Sequence, residues 1–206
     1  LSENEVTVKR FYNEAQIYAQ IGHPHVVKIH DFGQDKGDPT LYLVMEYLEG
    51  MDLDQLLRAN GPLTAWRLML LATQVLQGLE AAHRLGIIHR DLKPANVLVL
   101  DPDSERPFAK LVDFGISKQA EGAEEGLLPE DPLAETFRQG LTRAGKFTGT
   151  PAYMSPEQCY GMPLDARSDV YSMGVLLYEL ACGQVPFTAP RLFELLSMHA
   201  NESVPP

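Results

Sequence analysis

Groups that can do chemistry are concentrated in one short segment and in one triplet that follows it. The segment is His89-Arg90-Asp91-Leu92-Lys93-Pro94-Ala95-Asn96, and the triplet Asp113-Phe114-Gly115 begins 17 residues after Asn96. Together they offer two carboxylates, an ammonium group and an amide, next to apolar runs. Such groups can position and neutralise phosphate oxygens, and carboxylate and amide oxygens are ligands that Mg²⁺ accepts. The pattern therefore indicates a site for phosphoryl chemistry.

A third motif, Gly149-Thr150-Pro151-Ala152-Tyr153-Met154-Ser155-Pro156-Glu157, lies further along the chain. A lone Asp in a loop is more often a cap or turn residue, but a set of motifs at fixed spacing argues against that interpretation. In this order, the three motifs resemble the catalytic loop, the metal-binding turn and the end of the activation segment of protein kinases. The resemblance implies an α+β, two-lobed protein-kinase fold.

The motif residues are similar to those of one branch of that family. The run Asp-Leu-Lys-Pro-x-Asn that begins at Asp91 is typical of Ser/Thr kinases, whereas tyrosine kinases usually replace its Lys-Pro pair. The motif that ends at Glu157 looks most like that of the bacterial, eukaryotic-like kinases. The resemblance therefore implies transfer of the γ-phosphate of ATP to Ser or Thr hydroxyls of protein substrates.

The resemblance also implies a role for each motif position, carried over from the family position by position. Asp91 would orient the acceptor hydroxyl and accept its proton, and Lys93 would reach the γ-phosphate. Asn96 and Asp113 are the implied ligands of Mg²⁺, and Thr150 would hydrogen-bond the Asp91–Lys93 pair. The predicted catalytic residues are Asp91, Lys93, Asn96, Asp113 and Thr150.

A nucleotide pocket is implied by a second stretch, residues 41–50, which resembles the last strand of the small lobe and the hinge. Met45 would be the gatekeeper, and the main chain of Glu46 and Leu48 would meet adenine. Asp52 would lie near the ribose and Leu98 below the base. Glu14 resembles the helix glutamate that pairs with a phosphate-anchoring lysine. The predicted ATP-contacting residues are Glu14, Met45, Glu46, Leu48, Asp52, Lys93, Asn96, Leu98 and Asp113.

Periodicity in the sequence predicts the elements that must position these groups. Apolar residues at spacings of three and four predict helices over 6–21 and 68–82, and an apolar run predicts a central buried helix over 170–180. Another helix is expected over 192–199. Strand-like runs lie at 26–32, 41–47, 86–88, 97–100 and 110–112. These elements are those of a small strand-containing lobe followed by a mainly helical one.

We interpret residues 1–206 as a partial kinase domain, with an N-lobe remnant at 1–47, the hinge and C-lobe at 48–206, and the activation segment at 113–157. No G-x-G-x-x-G loop is present, and Lys9 lies only five residues before Glu14, too few for the family's lysine strand. We therefore expect an incomplete N-lobe and a C-lobe without its last helices. These residues alone should form a weak or inactive kinase.

The activation segment carries a long acidic insertion. From Asp113 to Glu157 it runs 45 residues, and the composition of 119–137 predicts the least ordered internal segment of the chain. The position three before Gly149, often a phosphothreonine in relatives, is Lys146. The candidate phosphorylation sites are therefore Thr142 and Thr148.

Composition limits the partners. The net charge is −11, from 17 basic and 28 acidic residues, which argues against a nucleic-acid partner. The two cysteines have no C-x-x-C spacing, and no apolar run reaches the ~18 residues of a membrane span. We expect a cytoplasmic kinase domain with no membrane segment within these residues and room for an anchor outside them; the sequence leaves the oligomeric state open.

Two alternative functions are weighed against the kinase interpretation. A pseudokinase or regulatory binding module would not need the full set of catalytic-loop and metal-binding residues, which is present. A small-molecule kinase of the aminoglycoside type would share Asp91 and Asn96 but would usually lack Lys93 and the Ser-Pro-Glu motif. Both alternatives are therefore second to a protein Ser/Thr kinase.

Overall fold

The computed structural model describes residues 3–35, 37, 40–114 and 150–206. The helices are α1 (Glu3–Tyr18), α2 (Leu53–Asn60), α3 (Ala65–His83), α4 (Pro156–Cys159), α5 (Ala166–Cys182) and α6 (Leu192–Asn201). The strands are β1 (Ile29–Gln34), β2 (Leu41–Met45), β3 (Met51–Asp52), β4 (Val97–Leu100) and β5 (Phe108–Leu111). Two 3₁₀ turns, Pro94–Asn96 and Pro151–Tyr153, complete the described part.

The first part of the chain is α1 followed by an antiparallel pair, β1 and β2. The predicted strand 26–32 begins later than expected, at Ile29. The reason is that Val26 forms an isolated bridge to Leu111 of β5, so it joins this part to the second sheet instead of extending β1. The predicted strand 41–47 ends at Met45.

A second sheet, in the order β3-β4-β5, supports the segment that carries the catalytic motifs. Val97 and Val99 of β4 are fully buried, as are Ala109 and Leu111 of β5, and the sheet packs against α3. The predicted strand 86–88 is wrong, because Gly86 adopts φ 73° as α3 ends and the residues after it lead directly into the loop. The other two predicted strands of this region are present.

Helix α5 lies at the core of the helical part, as predicted. The side chain of Asp165 accepts a hydrogen bond from the N–H of Arg167 at 2.8 Å and so caps its beginning, and Gly183, at φ 79°, follows its last residue. Met173, Leu176 and Leu180 are buried in one cluster with residues of α3. Val170 is 60% exposed, so the apolar run is not buried on every side. Among the described helices, none is both long and apolar enough to cross a bilayer.

A pair of glycine substitutions tests the close packing of α3. A Cβ at Gly78 would lie 2.8 Å from the backbone oxygen of His25 and 2.9 Å from Leu111 Cδ1, whereas a Cβ at Gly174 of α5 would meet nothing within 4 Å. Alanine stabilises an open helix position by about 1 kcal/mol, and overpacking costs about 1–3 kcal/mol. We expect Gly78→Ala to lower the Tm and Gly174→Ala to raise it. Equal shifts by differential scanning calorimetry would contradict this contact.

Candidate active site

The loop that precedes Asp91 is held in an unusual backbone conformation by a buried carboxylate. Arg90 has φ 66°, a left-handed conformation that is uncommon for a residue with a side chain. Asp169 of α5, which is 0% exposed, accepts hydrogen bonds from the N–H groups of His89 at 2.8 Å and Arg90 at 2.9 Å. Its Oδ2 also lies 2.6 Å from Nε2 of His83. The backbone of this loop is therefore held by hydrogen bonds to a side chain of α5.

Asp91, Thr150 and Lys93 form one hydrogen-bonded set. The Thr150 hydroxyl donates to Asp91 Oδ1 at 3.0 Å, and Lys93 Nζ donates to Thr150 Oγ1 at 3.0 Å. Lys93 Nζ also lies 3.2 Å from Asp91 Oδ2. These are the contacts that the sequence predicted for Thr150. They place a carboxylate and an ammonium group side by side, with Asp91 only 4% exposed.

Asn96 joins this set and connects it to Asp113. Its Nδ2 donates to the backbone oxygen of Asp91 at 2.8 Å and to Asp91 Oδ2 at 3.2 Å, so the amide oxygen Oδ1 is left to accept or to ligate. The N–H of Val112 donates to the backbone oxygen of Asn96 at 3.0 Å, and the exposed Asp113 is the next residue. The structure therefore brings Asp91, Lys93 and Asn96 together, and Asp113 follows one residue after a backbone contact with Asn96.

This pair of oxygen donors fits a hard divalent cation. Asn96 offers an amide oxygen and Asp113 an exposed carboxylate, and Mg²⁺ is commonly held by one or two such groups together with phosphate oxygens and waters. Within the described residues, no three His, Cys, Asp or Glu side chains cluster as a self-contained metal site. The chemistry of the donors thus matches a metal that is bound together with a phosphorylated ligand.

A stack of rings links the Asp113 turn to α1. Phe114 packs between His89, at a ring-centroid distance of 4.5 Å, and Tyr18, at 5.3 Å. Burial lowers the pKa of His89 in spite of the nearby carboxylates, so its ring is neutral and its Nε2–H donates to the backbone oxygen of Val112 at 3.2 Å. Burial also raises the pKa of Tyr18 to about 12. His89 is therefore a packing residue.

Glu14 lies on α1, one turn before Tyr18, and is half-buried. Its negative charge contributes to the raised pKa of Tyr18, after burial and against the lowering effect of Arg90. Lys9 on the same helix is exposed, as expected for a solvated position. Glu14 thus lies on the helix whose Tyr18 belongs to the ring stack, and not on the β3-β4-β5 sheet.

The hinge segment is tied to β5 by the side chain of Glu46. Its Oε1 accepts from Lys110 Nζ at 2.5 Å and from the N–H of Lys28 at 2.8 Å. Burial by itself would raise the pKa of Glu46, but these hydrogen bonds outweigh it and the pKa is lowered. The sequence had suggested a role only for the main chain of Glu46, and the contact with Lys110 was not predicted. Met45, at the end of β2, is 39% exposed.

Two other residues predicted to contact the nucleotide, Asp52 and Leu98, lie on the second sheet. Asp52 and Leu98 are paired across β3 and β4, and Leu98 is paired with Lys110 across β4 and β5. Asp52 has a structural role as well, since its Oδ1 accepts from the N–H of Gln55 at 2.8 Å and caps α2. Leu48 is half-buried in the segment between the two sheets. The structure therefore brings Glu46, Asp52 and Leu98 to one sheet through Lys110.

Helix α5 also anchors the Thr150–Glu157 segment, which the sequence did not predict. Ser168 Oγ donates to Glu157 Oε1 at 2.6 Å. Ser172 Oγ donates to the backbone oxygen of Tyr153 at 2.7 Å, and the Tyr153 hydroxyl donates to Glu179 Oε2 at 2.5 Å. The sequence signal for these contacts is the set of polar positions in this otherwise apolar helix: Ser168, Asp169, Ser172 and Glu179.

The model of the protein kinase domain family matches residues 1–203 of the chain. The chain belongs to the protein kinase family. This confirms the predicted kinase fold, with small sheets in the first part and a mainly helical second part. The predicted insertion at 119–137 and the candidate phosphorylation sites Thr142 and Thr148 lie outside the described residues of this kinase.

Relatives of this kinase domain include several bacterial proteins. The chain is 41% identical to serine/threonine-protein kinase pkn3 of Myxococcus xanthus, over 100% of this chain and 35% of that protein. It is 38% identical to PkaA of Streptomyces coelicolor, over 98% of this chain and 34% of that protein. It is 36% identical to PknB of Mycobacterium tuberculosis, over 96% of this chain and 29% of that protein. The chain thus spans about a third of the length of these curated relatives. The predicted resemblance to bacterial Ser/Thr kinases is confirmed.

Proposed function

We propose that the protein transfers the γ-phosphate of ATP to Ser or Thr hydroxyls of protein substrates. The observation that carries this proposal is the hydrogen-bonded set of Asp91, Thr150 and Lys93, in which the carboxylate and the ammonium group lie 3.2 Å apart. The names of the relatives, all Ser/Thr kinases, support the same reaction.

Each side chain of the set has a task that its geometry supports. The Asp91 carboxylate orients the acceptor hydroxyl and takes its proton, while Thr150 fixes the direction of that carboxylate through Oδ1. Lys93 places a positive charge beside the oxygens on which negative charge develops, where fixed charges are most effective. Asn96 and Asp113 would hold Mg²⁺, and the metal when bound neutralises charge on the phosphate oxygens.

The two alternative functions are less well supported. A binding module without catalysis would not need the contacts that hold Asp91 from three sides, by Thr150, Lys93 and Asn96. A small-molecule kinase would not need the Tyr153–Glu157 segment that α5 anchors beside the site. We also propose that the domain acts in the cytoplasm, where ATP is available and where the free thiols of Cys159 and Cys182 stay reduced.

The test is a phosphotransfer assay with the full-length protein. We would supply radiolabelled ATP and Mg²⁺ with three peptides that differ only in the acceptor, Ser, Thr or Tyr, and with an aminoglycoside in a fourth reaction. We expect label on the Ser and Thr peptides alone. Label on the aminoglycoside, or on none of the four with ATP bound, would contradict the proposal in favour of a small-molecule kinase or a pseudokinase.

Thr150→Val should lower kcat with little change in KM for ATP. The substitution keeps the shape of the side chain but removes the hydroxyl that joins Asp91 to Lys93. A hydrogen bond to a charged group is worth about 1.5–3 kcal/mol, so kcat should fall by roughly ten- to a hundredfold. The control is Thr73→Val, since the exposed Thr73 hydroxyl donates only to Met69 of its own helix at 2.8 Å. Equal kcat in both variants would show that Thr150 has no part in the site.

A further inference from the structure

The peptide that joins Arg90 to Asp91 is held by a side chain from another motif. Nε2 of Gln158 in α4 donates to the backbone oxygen of Arg90 at 2.8 Å, and Gln158 is only 7% exposed. The backbone N–H of Arg90 in turn donates to Asp169 Oδ1 at 2.9 Å. Both polar backbone groups of Arg90 are thus satisfied by α4 and α5, at the one residue of the loop whose φ is 66°.

The same amide of Gln158 has a second contact, on its oxygen. Oε1 accepts from the N–H of Ser155 at 3.0 Å, and the N–H of Gln158 donates to Ser155 Oγ at 3.3 Å. This is a capping box, which fixes the beginning of α4. The Gln158 amide therefore has its oxygen on the Ser155–Glu157 segment and its nitrogen on the catalytic loop.

The Arg90 carbonyl belongs to the peptide that joins Arg90 to Asp91, so the orientation of this peptide influences the orientation of the Asp91 side chain. A left-handed residue with a side chain is strained and persists only where neighbouring contacts fix it. If the hydrogen bond from Gln158 were lost, the part-buried carbonyl would lose this donor, and the peptide would be free to rotate toward another one. Such a rotation would turn the Asp91 carboxylate away from Thr150 and Lys93.

We propose that Gln158 is a positioning residue for phosphoryl transfer, whose amide makes the orientation of Asp91 depend on the seating of the Thr150–Glu157 segment. This rests on the proposed kinase function. When Ser155 is in place, its backbone N–H holds the Gln158 side chain in reach of Arg90 through Oε1. When the segment is displaced, the Nε2–H leaves the carbonyl. The activation segment is thus linked to the catalytic aspartate through a neutral amide.

Three substitutions separate this role from simple helix capping. Gln158→Glu, in its ionised form, keeps an acceptor for the N–H of Ser155 but offers no donor to the Arg90 carbonyl. Gln158→Met removes both contacts at nearly the same volume, and it serves if the buried carboxylate of the first variant prevents folding. Ser155→Ala removes only the hydroxyl that caps α4, and leaves the Gln158 amide unchanged.

The experiment measures kcat, KM and amide exchange in the full-length protein. We expect both Gln158 variants to lose about tenfold in kcat with KM for ATP within about twofold, because the loop is disturbed but the hinge is not. Amide exchange of residues 88–93 should become faster in these variants and stay unchanged in Ser155→Ala, which should retain kcat within about twofold.

Two results would overturn the proposal. One is a Gln158→Glu or Gln158→Met protein that is folded, keeps kcat and shows unchanged exchange at residues 88–93. The other is Ser155→Ala with the same loss of kcat as the Gln158 variants, which would assign the effect to capping. Exchange is measured without turnover, so it still tests the link if the unsubstituted protein transfers no phosphate, and that outcome would refute the proposed function alone.

Discussion

Asp91→Asn is expected to abolish Ser/Thr phosphorylation while ATP still binds. The amide keeps the shape of the side chain, and its oxygen can still accept from the Thr150 hydroxyl at the position where the 3.0 Å contact lies. It cannot take the proton of the acceptor hydroxyl, and it removes the charge beside Lys93. Proton transfer by a positioned side chain typically contributes about 10²–10⁴-fold, so kcat should fall by that amount.

The measurement is kcat on a Ser peptide, together with the Kd for a fluorescent ATP analogue. The matched control is Asp54→Asn, which removes a carboxylate whose ion pair with Arg58 lies on the surface of α2, 2.9 Å between the charged atoms. We expect the control to keep kcat, since exposed ion pairs contribute little. Retained kcat in Asp91→Asn would mean that another group accepts the proton, and the assignment of the catalytic base would be wrong.

Asp169→Ala is expected to cause a large loss of stability together with a loss of activity. The carboxylate is fully buried and accepts from two backbone N–H groups, at 2.8 and 2.9 Å, with His83 at 2.6 Å from its Oδ2. Removal takes the acceptor away from two backbone N–H groups, one buried and one part-buried, at about 1–3 kcal/mol each, in addition to a cavity. A total of roughly 3–5 kcal/mol is a large fraction of the stability of a domain.

Urea unfolding of the two proteins, followed by circular dichroism, gives this difference. Asp165→Ala is the control, because Asp165 belongs to the same helix and accepts from the N–H of Arg167 at 2.8 Å but is exposed. We expect a much smaller shift of the midpoint for the control. Similar midpoints would show that the buried carboxylate does not hold the catalytic loop. In the fraction of Asp169→Ala that stays folded, kcat should also fall, since Arg90 would lose a contact at its left-handed backbone.

Some of the fold and the site could be read from local spacing alone. The residues from Asp91 to Asn96 lie within one loop, so their mutual proximity follows from the chain itself, and the triplet at Asp113 completes the set. Helices α1 and α3 were predicted because the apolar residues of a helix recur every three or four positions. Helix α5 was predicted from an apolar run, and α6 as the helix expected over 192–199. Thr150 was placed beside Asp91 and Lys93 by resemblance, and the structure shows these hydrogen bonds.

The ends of the strands were less predictable, since they depend on the choice of partner. Val26 has the residue type of a strand but joins Leu111 of β5 in an isolated bridge, so β1 starts at Ile29. The run 86–88 is equally apolar, but it follows directly after α3 and forms no strand. A β-strand is defined by its neighbours, and a neighbour that is distant in sequence leaves no local signal.

The sequence by itself indicated the family, the kinase motifs and four of the six described helices of this protein. Only the tertiary structure decided which groups hold those motifs in place: Asp169 lies 80 residues after His89, Lys110 lies 64 residues after Glu46, and Gln158 lies 68 residues after Arg90. The physical reason is that each of these contacts is a hydrogen bond to a backbone group or to a remote side chain. Its existence depends on how distant parts of the chain pack together, and no local pattern around one residue of the pair predicts the other.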